Sequence, residues 1–260
     1  MIAYRDFYYP LNVFMHILTH EEGAVSYLHY ALFESETESI GAAQEHSTEL
    51  LFSRLPSPPQ RILEVGTGLG TTLARLTRAG YDAEGITPDE KQIAMIRDAY
   101  SDELRVHCAP LETFAANGTY DLLLIQESSQ YIDSNRLFER ARELAPRVIV
   151  LDEFALRPIE MEGALHSREQ FLAAAEDHGF VIDEELDLSK RAAPTIDYFI
   201  ARLPRYREAL IADIGISSQQ VDELIESGRR YRALYDDGTY GYRLLIFTAA
   251  ESAQRCTSGT

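Results

Sequence analysis

Three glycines at alternate positions, preceded by an acid, are the residues of this chain whose spacing best suits chemistry. Gly66, Gly68 and Gly70 follow the strand-like segment 61–65, which contains Glu64, and a helical pattern follows them. Glycine at a strand-to-helix turn permits positive φ and lets a ligand lie against bare backbone. The helix behind the turn offers free N–H groups and a partial positive charge. The stretch therefore predicts a binding turn for a nucleotide-type cofactor.

The glycine spacing separates two classes of cofactor. A dinucleotide fingerprint reads G-x-G-x-x-G, whereas this turn reads E-x-G-x-G-x-G. An acid at the end of the first strand suits a ligand with an α-ammonium group, and a diphosphate would gain nothing from it. The segment resembles the first motif of class I S-adenosylmethionine-dependent methyltransferases. The resemblance implies that the residues of the turn contact that cofactor: Glu64, Gly66, Thr67, Gly68 and Gly70.

Composition restricts the class of protein. Of the 260 residues, 45% are hydrophobic and 25% charged, as in a globular protein, and the formal charge of −18 argues against a nucleic-acid partner. No run reaches the roughly 20 apolar residues of a membrane span, so no stable membrane insertion is expected. The two cysteines imply no disulfide framework. Without a signal-type segment at the start of the chain, a cytoplasmic location is expected.

Strand and helix patterns alternate along most of the chain. They predict an α/β fold, a Rossmann-like, doubly wound, mainly parallel seven-stranded sheet. The predicted strands cover about 62–65, 81–87, 104–108, 120–125, 147–152, 180–188 and 242–248. The predicted helices cover about 40–55, 71–79, a stretch from about 88, 134–144 and 167–179.

The same patterns predict how the chain is organised. We expect an N-terminal helical cover at 1–57, a cofactor-binding core at 58–189, a helical insertion or lid at 190–239, the last core strand at 240–250 and a disordered tail at 251–260. The insertion is either a roof over the active site or a contact of a homodimer. Because ligands bind beyond the carboxyl ends of parallel strands, segments 64–70, 87–92, 109–112 and 126–131 should converge.

Over its whole length the chain resembles the methyltransferase group of cyclopropane-fatty-acid synthases, mycolic-acid methyltransferases and geranyl diphosphate C-methyltransferase. In that group the second strand ends in G-[VL]-T-L-S-x-x-Q, and here the segment 85–92 keeps the spacing from Thr87 to Gln92. The usual ribose-binding acid is absent. The resemblance therefore assigns Thr87 and Gln92 to the ribose side of the cofactor. Pro88 departs from the motif but can start a helix.

Two further segments carry cofactor candidates through the same resemblance. Segment 28–34, with Gln44 after it, looks like the family's YSxAYFE…Q segment, which makes His29 and Tyr30 candidates for cofactor contact. A histidine in an aromatic segment is more often a packing residue. In segment 109–112 the family places its adenine contacts.

Three more residues are candidates for contact with the cofactor. The resemblance suggests Leu111 as an apolar face for adenine and Glu112 as an acceptor for its amino group. Gln126, at the end of the fourth strand, is the last candidate cofactor residue. No metal ligands are expected.

The acceptor side is assigned to the segment after the fourth strand. Cyclopropane synthases have F-E-H there, with the Glu in a bicarbonate site, whereas this chain has Gln130-Tyr131, which puts cyclopropanation in doubt. Segment 127–133 looks more like the E-S-T-M-Y-V-D of geranyl diphosphate C-methyltransferase. Phosphate-binding cations are not evident, so the diphosphate substrate is not carried over.

The catalytic candidates are Glu127 and Tyr131. A carbon acceptor passes through a cation or loses a proton, which calls for a carboxylate and aromatic faces. Glu127 would steady that charge or accept the proton; its other role would be a hydrogen bond to the cofactor or to loop amides. The sequence thus predicts a methyltransferase for a small apolar or amphipathic acceptor, at carbon or otherwise at nitrogen or oxygen. An N- or O-methyltransferase of a polar metabolite, a non-catalytic S-adenosylmethionine-binding protein and an NAD(P) oxidoreductase are the alternatives.

Overall fold

The computed structural model describes residue 5 and residues 7–35, 37–160 and 163–250. The predicted tail at 251–260 lies outside the described residues. Seven strands form one sheet in the order β3-β2-β1-β4-β5-β7-β6. The strands are β1 (Arg61–Val65), β2 (Asp82–Thr87), β3 (Val106–Cys108), β4 (Leu122–Gln126), β5 (Arg147–Ala155), β6 (Phe180–Asp187) and β7 (Tyr240–Ala249). Because β7 is antiparallel to β5 and β6 while the other pairs are parallel, the predicted seven-stranded, mainly parallel sheet is confirmed.

The central strands have the composition of a sheet that is covered on both faces. All residues of β4 are buried, and β1 is buried from Ile62 onwards. Strands that are buried on both faces lack the alternation of apolar and polar residues seen in half-exposed ones. In the parallel register, Val65 lies beside Ile86 of β2 and Ile125 of β4. The carboxyl ends of these strands therefore meet at one edge of the sheet.

Nine α-helices are present in the described part of the chain. They are α1 (Leu11–Glu22), α2 (Ile40–Phe52), α3 (Thr71–Arg78), α4 (Glu90–Tyr100), α5 (Ser134–Leu144), α6 (Arg168–Asp177), α7 (Ser189–Ala192), α8 (Pro194–Ile214) and α9 (Ser218–Asp236). Within the described ranges, none is both long and apolar enough to cross a membrane.

Side-chain caps decide where several of these helices begin. Helix α4 begins at Glu90 and not at Pro88, because the Asp89 side chain accepts a hydrogen bond from the Lys91 backbone N–H. The S-x-x-Q pattern of segments 167–170 and 217–220 predicts helix caps, and they are present at Ser167 of α6 and at Ser217 of α9, where the capping box is complete. Local hydrogen bonds of this kind need no tertiary contact, which is why the sequence reveals them.

A further apolar core lies outside the sheet. It joins the N-terminal helical segment to the helices of the insertion between β6 and β7. Val13 and Ile17 of α1 pack in one buried cluster with Leu210 of α8 and Val221 and Ile225 of α9. The N-terminal helix and the helices between β6 and β7 thus form one packed unit. That unit stands over the carboxyl edge of the sheet, because its side chains line cavities there.

Candidate active site

The glycine turn after β1 has the backbone geometry that its sequence predicts. Gly66, Gly68 and Gly70 all have positive φ, at 80°, 52° and 80°. A Cβ on Gly66 would lie 2.3 Å from the Cβ of Ser128, whose hydroxyl donates to the Val65 carbonyl. Side chains other than hydrogen therefore cannot fit at Gly66 without moving the loop after β4. Gly70 precedes the first residue of α3 and completes the turn.

A cavity of about 540 Å³ opens at this edge of the sheet. It contains most of the predicted cofactor and catalytic residues in its lining: His29, Glu64, Gly66, Thr67, Gly68, Thr87, Gln92, Leu111, Glu112, Gln126, Glu127 and Tyr131. The four segments that were expected to converge therefore do so. Gly70 and Tyr30 are the candidates that do not belong to this lining.

Glu64 is the acid of the cavity with the least contact with water. Its residue is 3% exposed, and its Oε2 has no hydrogen-bond partner among the described residues. Burial raises the pKa of its carboxyl to about 8. A carboxyl in this environment binds a cation favourably, because pairing replaces the hydration that burial removed. This matches the α-ammonium group of an amino-acid moiety.

Two further buried polar atoms lie around Glu64 in the same cavity. The Thr67 hydroxyl and the Gln126 Nε2 have no hydrogen-bond partner within the described residues. The Thr72 hydroxyl donates to Gln126 Oε1 at 3.4 Å, which orients the amide. Buried polar groups are nearly always paired. With Glu64, these groups form a cradle that fits an amino-acid end carrying both charges.

The predicted ribose and adenine residues lie further along the cavity. The Thr87 hydroxyl donates to Gln92 Oε1 at 2.7 Å and accepts from the Asp89 backbone N–H at 3.3 Å. Leu111 is buried in a short 3-10 turn, and the adjoining Glu112 is exposed. An apolar surface with a polar group at its outer edge suits a planar base. The assignments of Thr87, Gln92, Leu111 and Glu112 to the cofactor remain predictions.

Of the two N-terminal candidates for cofactor contact, His29 lines the cofactor cavity and Tyr30 does not. His29 Nδ1 lies 2.9 Å from the Tyr30 carbonyl and Nε2 lies 3.2 Å from the Thr48 hydroxyl, and its ring packs on Tyr27. Burial lowers the pKa of His29 to about 4, so the ring is neutral. His29 lines the cofactor cavity as a packed residue with both nitrogens occupied. Tyr30 lines a second cavity instead.

The second cavity is apolar and adjoins the first. Its volume is about 430 Å³, and it lies between α1, α8 and α9. Pro10, Leu11, Phe14, Leu28 and His29 line both cavities. Its remaining walls are mostly aliphatic and aromatic side chains: Met15, Leu18, Tyr30, Ile196, Phe199, Ile200, Leu203, Leu224 and Tyr231. The two cavities therefore adjoin along these shared side chains, and the second is the more apolar of the two.

Glu127 connects the cofactor cavity to Tyr30, a residue that lines the second cavity. It follows β4 and lines the cofactor cavity, and its backbone has φ of 52°, which is rare for a residue with a side chain. Its Oε1 accepts from the Tyr30 backbone N–H at 2.6 Å and from the Tyr242 hydroxyl. Burial and the nearby Glu153 carboxylate raise the pKa of Glu127 well above its usual range. Strain and a shifted pKa at one residue are typical of a functional site.

Glu153 is a functional candidate that the sequence did not reveal. It lies in β5, and its Oε1 accepts from the hydroxyls of Tyr231, at 3.0 Å, and Tyr235, both in α9. Burial raises the pKa of Glu153 to about 7. The strand was expected to end at Asp152 but continues to Ala155, which places Glu153 inside the sheet. The available signal was an acid pair directly after the apolar run of a central strand.

The loop that carries Glu127 and Tyr131 is held by buried polar contacts. Asp152 accepts from the Ser129 backbone N–H at 2.9 Å and from its hydroxyl at 2.6 Å. The His166 Nε2 lies 3.0 Å from the carbonyls of Ser129 and Ile132. Tyr131 projects from this loop at the mouth of the cavity and is 86% exposed. Its catalytic role remains a prediction, and its position suits an entrance more than a reaction centre.

The strand order, the glycine turn and the cradle around Glu64 together define a Rossmann-like methyltransferase domain. Residues 63–148 match the family model described as a methyltransferase domain. The chain therefore contains a class I S-adenosylmethionine-dependent methyltransferase domain, and S-adenosylmethionine is the cofactor of this class. The residues that line the cavity fit this cofactor, because Glu64, Thr67 and Gln126 offer the polar atoms that its amino-acid end requires.

One curated relative and several solved structures are similar to the chain. An O-methyltransferase of Pyrenophora dematioidea is 32% identical over 123 residues, covering 44% of this chain and 46% of the relative. The chain thus spans about half the length of the curated relative that it matches.

The structural neighbours share the fold at low sequence identity. A putative sarcosine dimethylglycine methyltransferase of Galdieria sulphuraria superposes with a TM-score of 0.78 at 15% identity over 92% of this chain and 97% of that one. The cyclopropane synthase MmaA2 of Mycobacterium tuberculosis gives 0.73 at 19% identity over 85% and 89%. Geranyl diphosphate C-methyltransferase of Streptomyces coelicolor A3(2) gives 0.67 at 16% identity over 95% of each chain.

The protonation of Glu64 gives a test of the cofactor assignment. At pH 7 a carboxyl with a pKa of about 8 is mostly protonated, and pairing with an ammonium group favours the ionised form. We expect S-adenosylhomocysteine to release about one proton per molecule bound, measured by calorimetry in buffers of different ionisation enthalpy. Glu64→Gln should abolish the release and weaken binding about 10- to 100-fold.

Glu103→Gln, an exposed substitution outside the cavity, is the matched control and should leave both quantities unchanged. Equal affinity and equal proton release in the Glu64→Gln variant would contradict the assignment of Glu64 to the ammonium group.

Proposed function

We propose that the chain transfers a methyl group from S-adenosylmethionine to a small apolar or amphipathic acceptor, at carbon. The observation that carries the proposal is the apolar cavity that adjoins the cofactor cavity. The Glu127 carboxyl, in the lining of the cofactor cavity, accepts a hydrogen bond from Tyr30, which lines the apolar one. A polar acceptor would find few partners between α1, α8 and α9. Segment 190–239 serves in this proposal as a roof that holds the acceptor.

The cofactor supplies an electrophilic methyl group on a sulfonium, so the main contribution of the protein is alignment and exclusion of water. Glu64, Thr67 and Gln126 hold the amino-acid end, and Thr87 and Gln92 hold the ribose. The apolar walls of the second cavity bind the acceptor through burial of its surface. Because the two cavities share His29 and the residues of α1 beside it, an acceptor in the second cavity would lie next to a cofactor in the first.

Glu127 is proposed to act on the positive charge that carbon methylation produces. An electron-rich carbon that gains a methyl group becomes cationic and then loses a proton to a base. A carboxylate with a raised pKa is a stronger base than an exposed one, which favours proton transfer to it. The hydrogen bonds from the Tyr30 backbone and the Tyr242 hydroxyl hold Glu127 Oε1 in place. The rings of Tyr30 and Tyr242, whose centroids are 5.7 Å apart, add electron-rich faces beside it.

Transfer to oxygen is the second candidate. It is supported by the similarity to the Pyrenophora dematioidea O-methyltransferase and by the same carboxylate, which could remove a proton from a hydroxyl group. Transfer to carbon and transfer to oxygen would use the same residues and would differ only in the methylated product.

The product distinguishes carbon from oxygen transfer. We expect the purified chain to form S-adenosylhomocysteine with apolar acceptors from a panel of isoprenoid, fatty-acyl and phenolic compounds. With ¹³C-methyl cofactor, carbon transfer places the labelled signal in the alkyl region of the carbon spectrum. A methoxy signal would establish the second candidate, and turnover restricted to small polar amines would contradict both.

Replacement of Glu127 tests its catalytic role. Glu127→Gln keeps the shape and removes the base, so we expect kcat to fall about 10²- to 10⁴-fold while the affinity for S-adenosylhomocysteine changes little. Glu139→Gln, at an exposed position of α5, is the control for the substitution itself. Normal cofactor binding with unchanged turnover would remove the catalytic role of Glu127.

Glu153 should act through Glu127, as a positioning residue with an electrostatic effect. Its carboxylate raises the pKa of Glu127, so Glu153→Gln should lower that pKa. Because an ionised base gives activity that rises with pH, the rising limb of the kcat profile should move to lower pH. If Glu153 had a purely structural role, the Glu153→Gln variant would have a lower kcat at every pH, and the rising limb of its pH profile would not move.

A further inference from the structure

A cluster of metal-ligating side chains lies outside the methyltransferase site. His16 and His20 are one helical turn apart in α1, and Asp213 lies near the end of α8. The nitrogen and oxygen atoms of these three residues that could bind a metal all lie within 4.8 Å of one another. His16 Nε2 and Asp213 Oδ2 are 2.9 Å apart, and the centroids of the two imidazole rings are 4.4 Å apart. The donors thus converge from two helices that are distant in sequence.

The spacing and the donor types suit a transition metal. Histidines at i and i+4 face the same side of a helix, the arrangement with which helical zinc sites bind their metal. Donor atoms around tetrahedral Zn²⁺ are about 3.3 Å apart, given bonds of about 2.0–2.1 Å. His16 Nε2 and Asp213 Oδ2 are slightly closer than this, and the other donor pairs lie within 4.8 Å, so small side-chain rotations would give the required spacing. Two imidazoles and one carboxylate favour Zn²⁺ over Ca²⁺ or Mg²⁺, which prefer oxygen ligands.

The three candidate metal ligands differ in their exposure to solvent. His16 is fully buried, whereas His20 and Asp213 are exposed. One imidazole is therefore held by packing, and the other two ligands can adjust to the ion. The Tyr206 ring packs against both histidines, with centroids 6.4 Å from His16 and 5.6 Å from His20. The net charge of −18 raises the local concentration of cations around the chain.

We propose that His16, His20 and Asp213 form a Zn²⁺-binding site that joins α1 to α8. Three protein ligands leave a fourth position for water, as in open zinc sites. The two helices also line the apolar cavity, through Phe14, Met15 and Leu18 of α1 and through Phe199 and Leu203 of α8. Metal binding would therefore hold together two walls of that cavity, and it does not depend on the proposed methyl transfer.

The test measures Zn²⁺ binding directly. The full chain is purified without a histidine tag and with Cys108→Ser and Cys256→Ser, because cysteine thiols also bind zinc. Titration of Zn²⁺ against a chromophoric chelator should give one ion per chain. His20→Gln and Asp213→Asn should each weaken binding about tenfold or more, since each removes one of three ligands. These two residues are exposed, so the variants keep the buried His16 and the fold.

The control and the stability readout separate this site from other histidines. His107→Gln replaces an exposed histidine that pairs with Glu84 at 3.3 Å, and it should leave Zn²⁺ binding unchanged. At a Zn²⁺ concentration about 100 times Kd, the ratio of folded to unfolded chain should rise about 100-fold, and Mg²⁺ should have no such effect. Hydrogen exchange in α1 and α8 should slow with Zn²⁺. Equal Zn²⁺ affinity in the His20→Gln and Asp213→Asn variants, or no saturable binding, would overturn the proposal.

Discussion

The site depends on the placement of three carboxyl groups at one buried edge of a parallel sheet. Glu64 is the second-last residue of β1, Glu127 follows β4, and Glu153 lies near the end of β5. The register of the parallel strands brings these positions together, and burial raises the pKa of each carboxyl. Negative charge in a medium of low dielectric is costly unless a proton or another cation compensates it. This edge of the sheet therefore favours ligands and intermediates that carry positive charge.

The three acids differ in how their charge is accommodated. Glu64 has an oxygen without a described partner and faces the end of the cavity that suits an amino acid. Glu127 and Glu153 instead accept hydrogen bonds from tyrosines, which stabilise a carboxylate without adding a full positive charge. A permanent cation from the protein would neutralise the acids and remove their attraction for a cationic acceptor. Tyrosine is therefore well suited to positions between a reaction centre and an apolar cavity.

The parts of the site that sequence could predict are those encoded locally. The spacing of Glu64 and the three glycines identifies the cofactor turn, and the capping residues locate the helix starts within a few positions. Glu153 and the second cavity could not be found in this way. The hydroxyl groups that fix Glu153 come from α9, about eighty positions away in the sequence, and the end of β5 depends on its pairing with β7. The sequence also did not reveal that Tyr30 lines the second cavity, because neighbouring residues of an irregular segment can face different cavities. Its assignment to the cofactor remains a prediction.

Helices α1, α8 and α9 pack together above the sheet, and as a unit they contact both the apolar cavity and Glu153. Helix α9 is tied to the sheet by hydrogen bonds to Glu153, and α8 packs against both α9 and α1. A change in how α1 and α8 pack alters the volume of the apolar cavity, because their side chains form two of its walls. The position of α9 is at the same time coupled to the electrostatics of Glu127 through Glu153. In the proposed function, one packed unit therefore sets both the size of the acceptor and the acid strength of Glu127, so a substitution that repacks these helices should alter both.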